Sequence, residues 1–264
     1  MIVGIIGLGT LGRAIAAGLR EHATVRAIHG TNRRAAPLPD HPHVTVGSDN
    51  RTLAECADVI VLCVKPFQVE SVAREIADVL TPEKMIVTCA ASVSIAQVRA
   101  WTGERVQVIR AMPNMPCRIG EGMTVLAPGE QATEQHAALV ESLFATLGRT
   151  AIIDERLMDA ATGISGCGPA YAYVIIESLS DAGVKLGLPR DVARLLVAQT
   201  IMGSAKMVLA SDTHPAALKD EVTTPAGCTI DGLMELEEGR LRHTLLRAAV
   251  AAATRSATLT SGQG

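Results

Sequence analysis

The chain has 264 residues, with 24 Lys and Arg against 27 Asp and Glu and a net charge of -3. A 48% hydrophobic and 19% charged composition excludes wholesale disorder, and the length allows one or two domains whose cores need no disulfide or metal. The absence of a basic footprint and an aromatic content of only 2% argue against nucleic acid, because single-stranded binders stack bases on aromatic side chains.

The first half alternates strand and helix. Residues 2–6 form a short apolar strand, and 10–21 carry Leu11, Ile15 and Leu19 at helical spacing. A second strand is predicted at 24–28. The stretch 31–47 contains Pro37, Pro39 and Pro42 and is predicted as loop. Ser48 is the expected cap of a short helix through Cys56. Residues 58–64 are a continuous β-branched run of the kind buried in parallel sheets. Helix 69–80 and strand 85–89 follow. Ser94 and Gln97 have capping-box spacing for a helix to Trp101. Strands at 106–109 and 123–126, a helix at 133–147 closed by Gly148, and a strand at 150–153 complete the half. This alternation predicts a parallel, doubly wound α/β sheet of Rossmann type over 1–154.

Strands then almost disappear. Residues 169–186, 189–210, 229–237 and 241–259 read as helices, with Pro169 and Pro189 suited to first turns and Gly187 to a helix end. An all-helical domain is therefore expected over 155–264. About 40 alanines, the best helix former, compensate for the missing aromatics. Cys56, Cys63, Cys89, Cys117, Cys167 and Cys228 form no C-x-x-C pair and read as reduced thiols of a cytoplasmic protein. The apolar N-terminus lacks the leading Lys or Arg of a signal peptide, and no membrane span is expected.

The clearest chemical motif is Gly7-Leu8-Gly9-Thr10-Leu11-Gly12, placed between a strand and a helix. The glycines allow the tight turn, the close approach of a pyrophosphate, and its seat on the helix N-terminus. Where an NAD site usually carries Asp or Glu, this chain has Asn32, Arg33 and Arg34, which suits a 2′-phosphate and favours NADP(H). A solvated pair of arginines in a loop is the alternative. Other strand ends converge on the same crevice: Val64-Lys65-Pro66, Ala90-Ala91, and the run from Arg110 to Pro116, in which Met112 and Asn114 face the expected ligand. His41 and His43 lack the third ligand that a metal site needs, so no metal is expected.

The chain resembles the pyrroline-5-carboxylate reductase family. The resemblance is carried by G-L-G-T-L-G at 7–12, V-K-P at 64–66, R-A-M-P-N-M-P at 110–116, D-A-A-T-G-I-S-G-C-G-P-A-Y at 159–171, D-A-G-V-K-L-G-L-P-R at 181–190 and L-K-D-E-V-T-T-P-A-G-C-T-I-D-G-L at 218–233. It implies a helical domain that self-associates as a homodimer or larger homo-oligomer. It also implies that Thr224, Gly227, Cys228 and Thr229 hold a substrate carboxylate, mainly through backbone N–H groups. Candidate catalytic residues are Thr229, Lys65 and Asn114. The implied activity is NADPH-dependent reduction of 1-pyrroline-5-carboxylate to proline by hydride transfer to the C=N carbon. Reduction of another small cyclic imine acid and a non-catalytic NADP-binding role are the alternatives. Ala226 stands where the family commonly has Gly, at a position expected to need φ > 0. The proline-rich stretch 35–43 replaces a longer helical segment of the family.

Overall fold

The structure is a computed structural model that describes residues 1–33, 37–38 and 40–261. Its first part contains β1 (Ile2–Ile6), α1 (Thr10–Leu19), β2 (Ala27–Thr31), β3 (Val44–Gly47), α2 (Asn50–Cys56), β4 (Val59–Leu62) and α3 (Pro66–Ile76). It continues with β5 (Met85–Thr88), α4 (Ile95–Thr102), β6 (Gln107–Pro113), β7 (Gly122–Pro128), α5 (Glu134–Ala145) and β8 (Gly148–Ile152). The strands form one eight-stranded sheet in the order β3-β2-β1-β4-β5-β6-β7-β8. β1 and β4 lie inside the sheet, flanked by strands on both sides, and Val3, Ile5, Ile60 and Leu62 are almost fully buried. The apolar runs that name these strands are what two helical layers cover.

The expectations hold for β1, α1, β4 and α4. At α4 the Ser94 N–H donates to Gln97 Oε1 at 2.8 Å and the Gln97 N–H to Ser94 Oγ at 3.2 Å, the reciprocal box that the spacing predicts. Other expectations need correction. The stretch 31–47 is not all loop: β3 lies at its end and pairs with β2 from Ile28↔Val44 to Thr31↔Gly47. Asp49, not Ser48, caps α2, accepting from the N–H groups of Arg51 at 2.9 Å and Thr52 at 3.3 Å. The sheet is mixed rather than wholly parallel, because β7 runs antiparallel to β6. Only a short 3₁₀ turn, Met115–Ile119, separates them, and a parallel crossover needs a dozen or more residues. Strand β6 also continues to Pro113, so Arg110 to Met112 are strand residues and not part of the loop after it.

After β8 come α6 (Met158–Ala161), a π turn at Thr162–Gly166, α7 (Gly168–Lys185), α8 (Arg190–Ala210), α9 (Pro215–Glu221), α10 (Cys228–Glu238) and α11 (Leu241–Thr260). The short α9 was not expected; His214 caps it, its Nδ1 accepting from the Ala216 N–H at 3.2 Å. The chain divides into two compact units, Met1–Cys167 with Val250–Gly264, and Gly168–Ala249. These differ from a division at 154/155 for a physical reason. Met158 is fully buried in the sheet core. Asp159 accepts hydrogen bonds from Ser256 Oγ at 2.6 Å and Thr260 Oγ1 at 3.2 Å, holding the end of α11 to the first unit.

The second unit buries little by itself. Among the described residues of its helices, only Ser180 and Ala193 are buried. Val174, Leu195, Met234 and Leu246 are each more than 60% exposed. Large exposed apolar residues in such number mark a candidate interaction surface.

Candidate functional site

The glycine turn after β1 is built for close approach. Gly7 has φ +103°, and a Cβ there would stand 2.8 Å from the backbone C and O of Cys63. The Gly7 and Leu8 N–H groups donate to the Thr31 carbonyl at 3.1 and 3.2 Å, tying the turn to the end of β2. Leu8 is buried against Gly30. Gly9 is the N-cap of α1; no side chain caps it, and a Cβ there would meet nothing within 4 Å. The first N–H groups of α1 are therefore left to an incoming anion, and the space above Gly9 is open to it.

This turn forms one wall of a cleft of about 960 Å³ at the carboxyl ends of the parallel strands. Gly7, Gly9, Thr10 and Leu11 line it beside Asn32 and Arg33 after β2, Val64, Lys65 and Pro66 after β4, and Ala90 and Ala91 after β5. Those predicted cofactor residues are brought together. Leu8 and Gly12 lie under the turn as packing residues, and Arg34 lies outside the described residues. Lys65 precedes α3, its N–H donating to Gln68 Oε1 at 3.3 Å, with Pro66 in the first helical turn.

Met112 and Asn114 do not line the cleft. Met112 is 6% exposed within the core. The Asn114 amide is committed at both ends: Nδ2 donates to the Ser165 carbonyl at 3.2 Å, and Oδ1 accepts from the Met123 N–H at 2.9 Å. These two bonds tie the π turn and β7 to the end of β6.

Asn50 and Glu75 are among the cleft residues that the sequence did not reveal. Thr31 Oγ1 donates to Asn50 Oδ1 at 2.6 Å, and Asn50 Nδ2 donates to Glu75 Oε2 at 2.9 Å. Asn50 and Glu75 both line the cleft, as does Arg33. Asn50 became meaningful only once β3 delivered α2 to this crevice. The local signal was the Asp49 cap.

A buried guanidinium stands between two half-buried carboxylates. The Arg110 side chain is 2% exposed and stands 3.5 Å from Glu155 and 4.0 Å from Asp159. Its Nε and Nη2 have no hydrogen-bond partner among the described residues. The Glu155 carboxylate also accepts from the Ile95 N–H at 2.8 Å, at the start of α4.

The second unit carries the other candidate residues on one loop. Gly227 is the N-cap of α10 with no side-chain cap, so the N–H groups of the first turn, at Cys228 and Thr229, are available to a carboxylate. The Gly227 N–H donates to the Thr224 carbonyl at 3.0 Å, closing the turn. A Cβ on Gly227 would stand 2.4 Å from Thr224 Oγ1. Ala226 has φ +55°, the left-handed conformation expected of that position. Cys228 is exposed.

Comparison with known proteins places both halves. Residues 155–259 match a family described as pyrroline-5-carboxylate reductase dimerisation, and residues 2–92 match one described as NADP oxidoreductase, coenzyme F420-dependent. The pyrroline-5-carboxylate reductase of Pisum sativum is 41% identical over 260 residues, covering 96% of this chain and 94% of that protein. The protein of the same name from Methanosarcina acetivorans is 35% identical over 259 residues, covering 96% of each. The crystal structure of Plasmodium falciparum pyrroline carboxylate reductase with NADP bound superposes with a TM-score of 0.90 at 34% identity, covering 98% of each chain.

Proposed function

We infer that this chain, which belongs to the pyrroline-5-carboxylate reductase family, reduces 1-pyrroline-5-carboxylate to proline with NADPH. The observation that carries the cofactor half is the uncapped, open N-terminus of α1 under Gly9, facing a cleft that Arg33 also lines. The first accepts a pyrophosphate and the second a 2′-phosphate. Bound NADPH supplies a hydride to the C=N carbon of the imine.

The chain's own residues bind and orient. The N–H groups at the start of α10 take the substrate carboxylate, with Thr224 and Gly227 shaping the turn and Cys228 and Thr229 donating. The Thr229 hydroxyl holds the ring nitrogen, which gains a proton as the C=N bond is reduced. No His or Glu is assigned as the acid, so the rate comes mainly from proximity. Lys65 contributes positive charge at the cleft floor. Asn114 is a positioning residue, because its amide is spent on backbone. In this reading 1–154 is the NADP-binding domain and 155–264 the dimerisation and substrate domain, whose two ends, up to Cys167 and from Val250, pack with the first compact unit.

The exposed apolar faces of the helical unit are covered by a second copy, giving a homodimer or larger assembly in the cytoplasm. Helix α8 is long and apolar enough to cross a membrane, with only 6% of its apolar window buried; the dimerisation match over the same residues favours a protein partner. Neither nucleic acid nor membrane is a partner in this reading.

The test is a steady-state assay of imine with NADPH and NADH side by side. NADPH oxidation with higher kcat/KM than NADH is expected; no oxidation at millimolar imine overturns the reading. Thr229→Ala should lower kcat/KM, and unchanged kinetics would remove its role. Ala226 and Cys228 add bulk to the carboxylate turn, so the assay includes five- and six-membered cyclic imine acids; preference for the larger ring would reassign the substrate.

A further inference from the structure

Two thiols stand side by side in the floor of the dinucleotide cleft. Cys63 and Cys89 follow directly on the last register pair of the adjacent strands β4 and β5, Leu62↔Thr88, and the Cys89 N–H donates to the Leu62 carbonyl at 2.9 Å. They belong to the same face of the sheet and the same core cluster, and both line the cleft. Neighbouring positions on paired strands lie about 4.8 Å apart, inside the ~4.4–6.8 Å Cα window that a disulfide spans. Neither thiol has a part in the proposed hydride transfer.

We propose that Cys63 and Cys89 form a reversible dithiol–disulfide pair, oxidised by peroxide, whose closure switches off nucleotide binding. Cys63 is the half-buried member and meets the oxidant first. Cys89 is buried, and the hydrogen bond it shares with Cys63, together with burial, holds its thiol well above the ordinary range, so it reacts second. In the first step the Cys63 sulfur takes one oxygen from hydrogen peroxide, forming a sulfenic acid and releasing one water. In the second the Cys89 sulfur attacks the sulfenic sulfur. The S–S bond forms, the S–O bond breaks, and the departing hydroxide leaves as water with the Cys89 proton. Two thiols lose two electrons in total, and one peroxide is reduced to two waters.

The consequence for the cleft follows from packing. Disulfide closure draws the two Cβ atoms to about 3.8 Å, which moves the ends of β4 and β5. Gly7 sits directly on the Cys63 backbone, with no room for even a Cβ between them. The segments leaving the two cysteines are Val64-Lys65 and Ala90-Ala91, which line the same cleft. Movement at Cys63 is therefore passed to the first glycine of the phosphate turn.

Peroxide treatment of the reduced full-length protein, followed by peptide mapping, tests the pair. The Cys56→Ser variant removes the other thiol of the peptide that carries Cys63. The expected result is a cross-link between the Cys63 and Cys89 peptides, two hydrogens lighter than its parts. NADP⁺ should protect against it and dithiothreitol reverse it. The oxidised protein should bind NADPH at least about tenfold more weakly, a shift of roughly 1.4 kcal/mol. In Cys89→Ser the cross-link should vanish and dimedone should label Cys63. Unmodified thiols at 63 and 89 beside oxidised Cys56 or Cys228 would overturn the proposal, as would a cross-link that leaves NADPH affinity unchanged. The affinity readout rests on the proposed cofactor; reduced protein that fails to bind NADPH defeats that reading, while the mass of the cross-link still decides the pairing.

Discussion

Gly12 packs against the carbonyl of Gly7 so tightly that a Cβ on Gly12 would stand 2.2 Å from the Gly7 oxygen. The third glycine of the fingerprint thus serves the protein's own packing, whereas the second, Gly9, faces open space. The two positions make opposite predictions. Gly12→Ala should lower the thermal midpoint and weaken NADPH binding together. Gly9→Ala should leave the midpoint unchanged and weaken binding by about tenfold or more, about 1.4 kcal/mol. Differential scanning fluorimetry and fluorescence titration separate the two.

Arg33 lines the cleft together with Asn32 and Asn50. Arg33→Ala removes the planar donor for a 2′-phosphate. Charge-assisted hydrogen bonds contribute about 1.5–3 kcal/mol, so KM for NADPH should rise roughly tenfold or more while KM for NADH changes little. Equal losses for both cofactors would place the 2′-phosphate elsewhere.

Ala226 holds a left-handed conformation, φ +55°, in the carboxylate turn. A side chain there costs about 1–2 kcal/mol, and glycine recovers this less about 0.5–1 kcal/mol of chain entropy. Ala226→Gly should therefore raise stability by roughly 0.5 kcal/mol, read as the urea midpoint at fixed protein concentration, with kcat/KM for the imine retained.

Asp159 joins buried Arg110 to the end of α11 through Ser256 and Thr260. Asp159→Ala leaves Arg110 with Glu155 alone and frees the Ser256 hydroxyl, while the Thr260 hydroxyl keeps the Ser256 carbonyl. A loss of about 1–3 kcal/mol is expected. Faster hydrogen exchange at residues 256–260 should accompany it, which a purely local defect at α6 would not produce.

Asp154 caps the turn Glu155–Leu157, and hydrogen bonds from the Arg156 guanidinium and backbone hold its carboxyl down at about 2, from 3.8. A depressed folded-state value stabilises the protein above the unfolded value and ceases to do so as pH falls through the folded one. The urea midpoint of Asp154→Asn should lie below that of wild type at pH 5 and above, and the gap should close between about pH 4 and 2.

Much of the cleft could be read from local spacing. The glycines at 7, 9 and 12, Pro66 behind Lys65, and the Ser94–Gln97 box each act within one turn of chain, and backbone conformation at that range follows from the residues themselves. Asn114 shows the limit. Two flanking prolines mark it as constrained, but its amide is claimed by Met123 and Ser165, whose positions only the folded chain supplies.

The sequence by itself determined the alternating α/β half and the helical half, the phosphate turn and most helices, since periodicity, caps and glycine are local properties; the need for φ > 0 at residue 226 was implied by the family resemblance. Tertiary structure alone decided that 44–47 is a strand, that β7 reverses, that Asn50 and Glu75 enter the cleft, and that Cys63 meets Cys89. Each depends on a partner strand or helix far along the chain, and strand pairing is satisfied by hydrogen bonds that no single segment carries within itself.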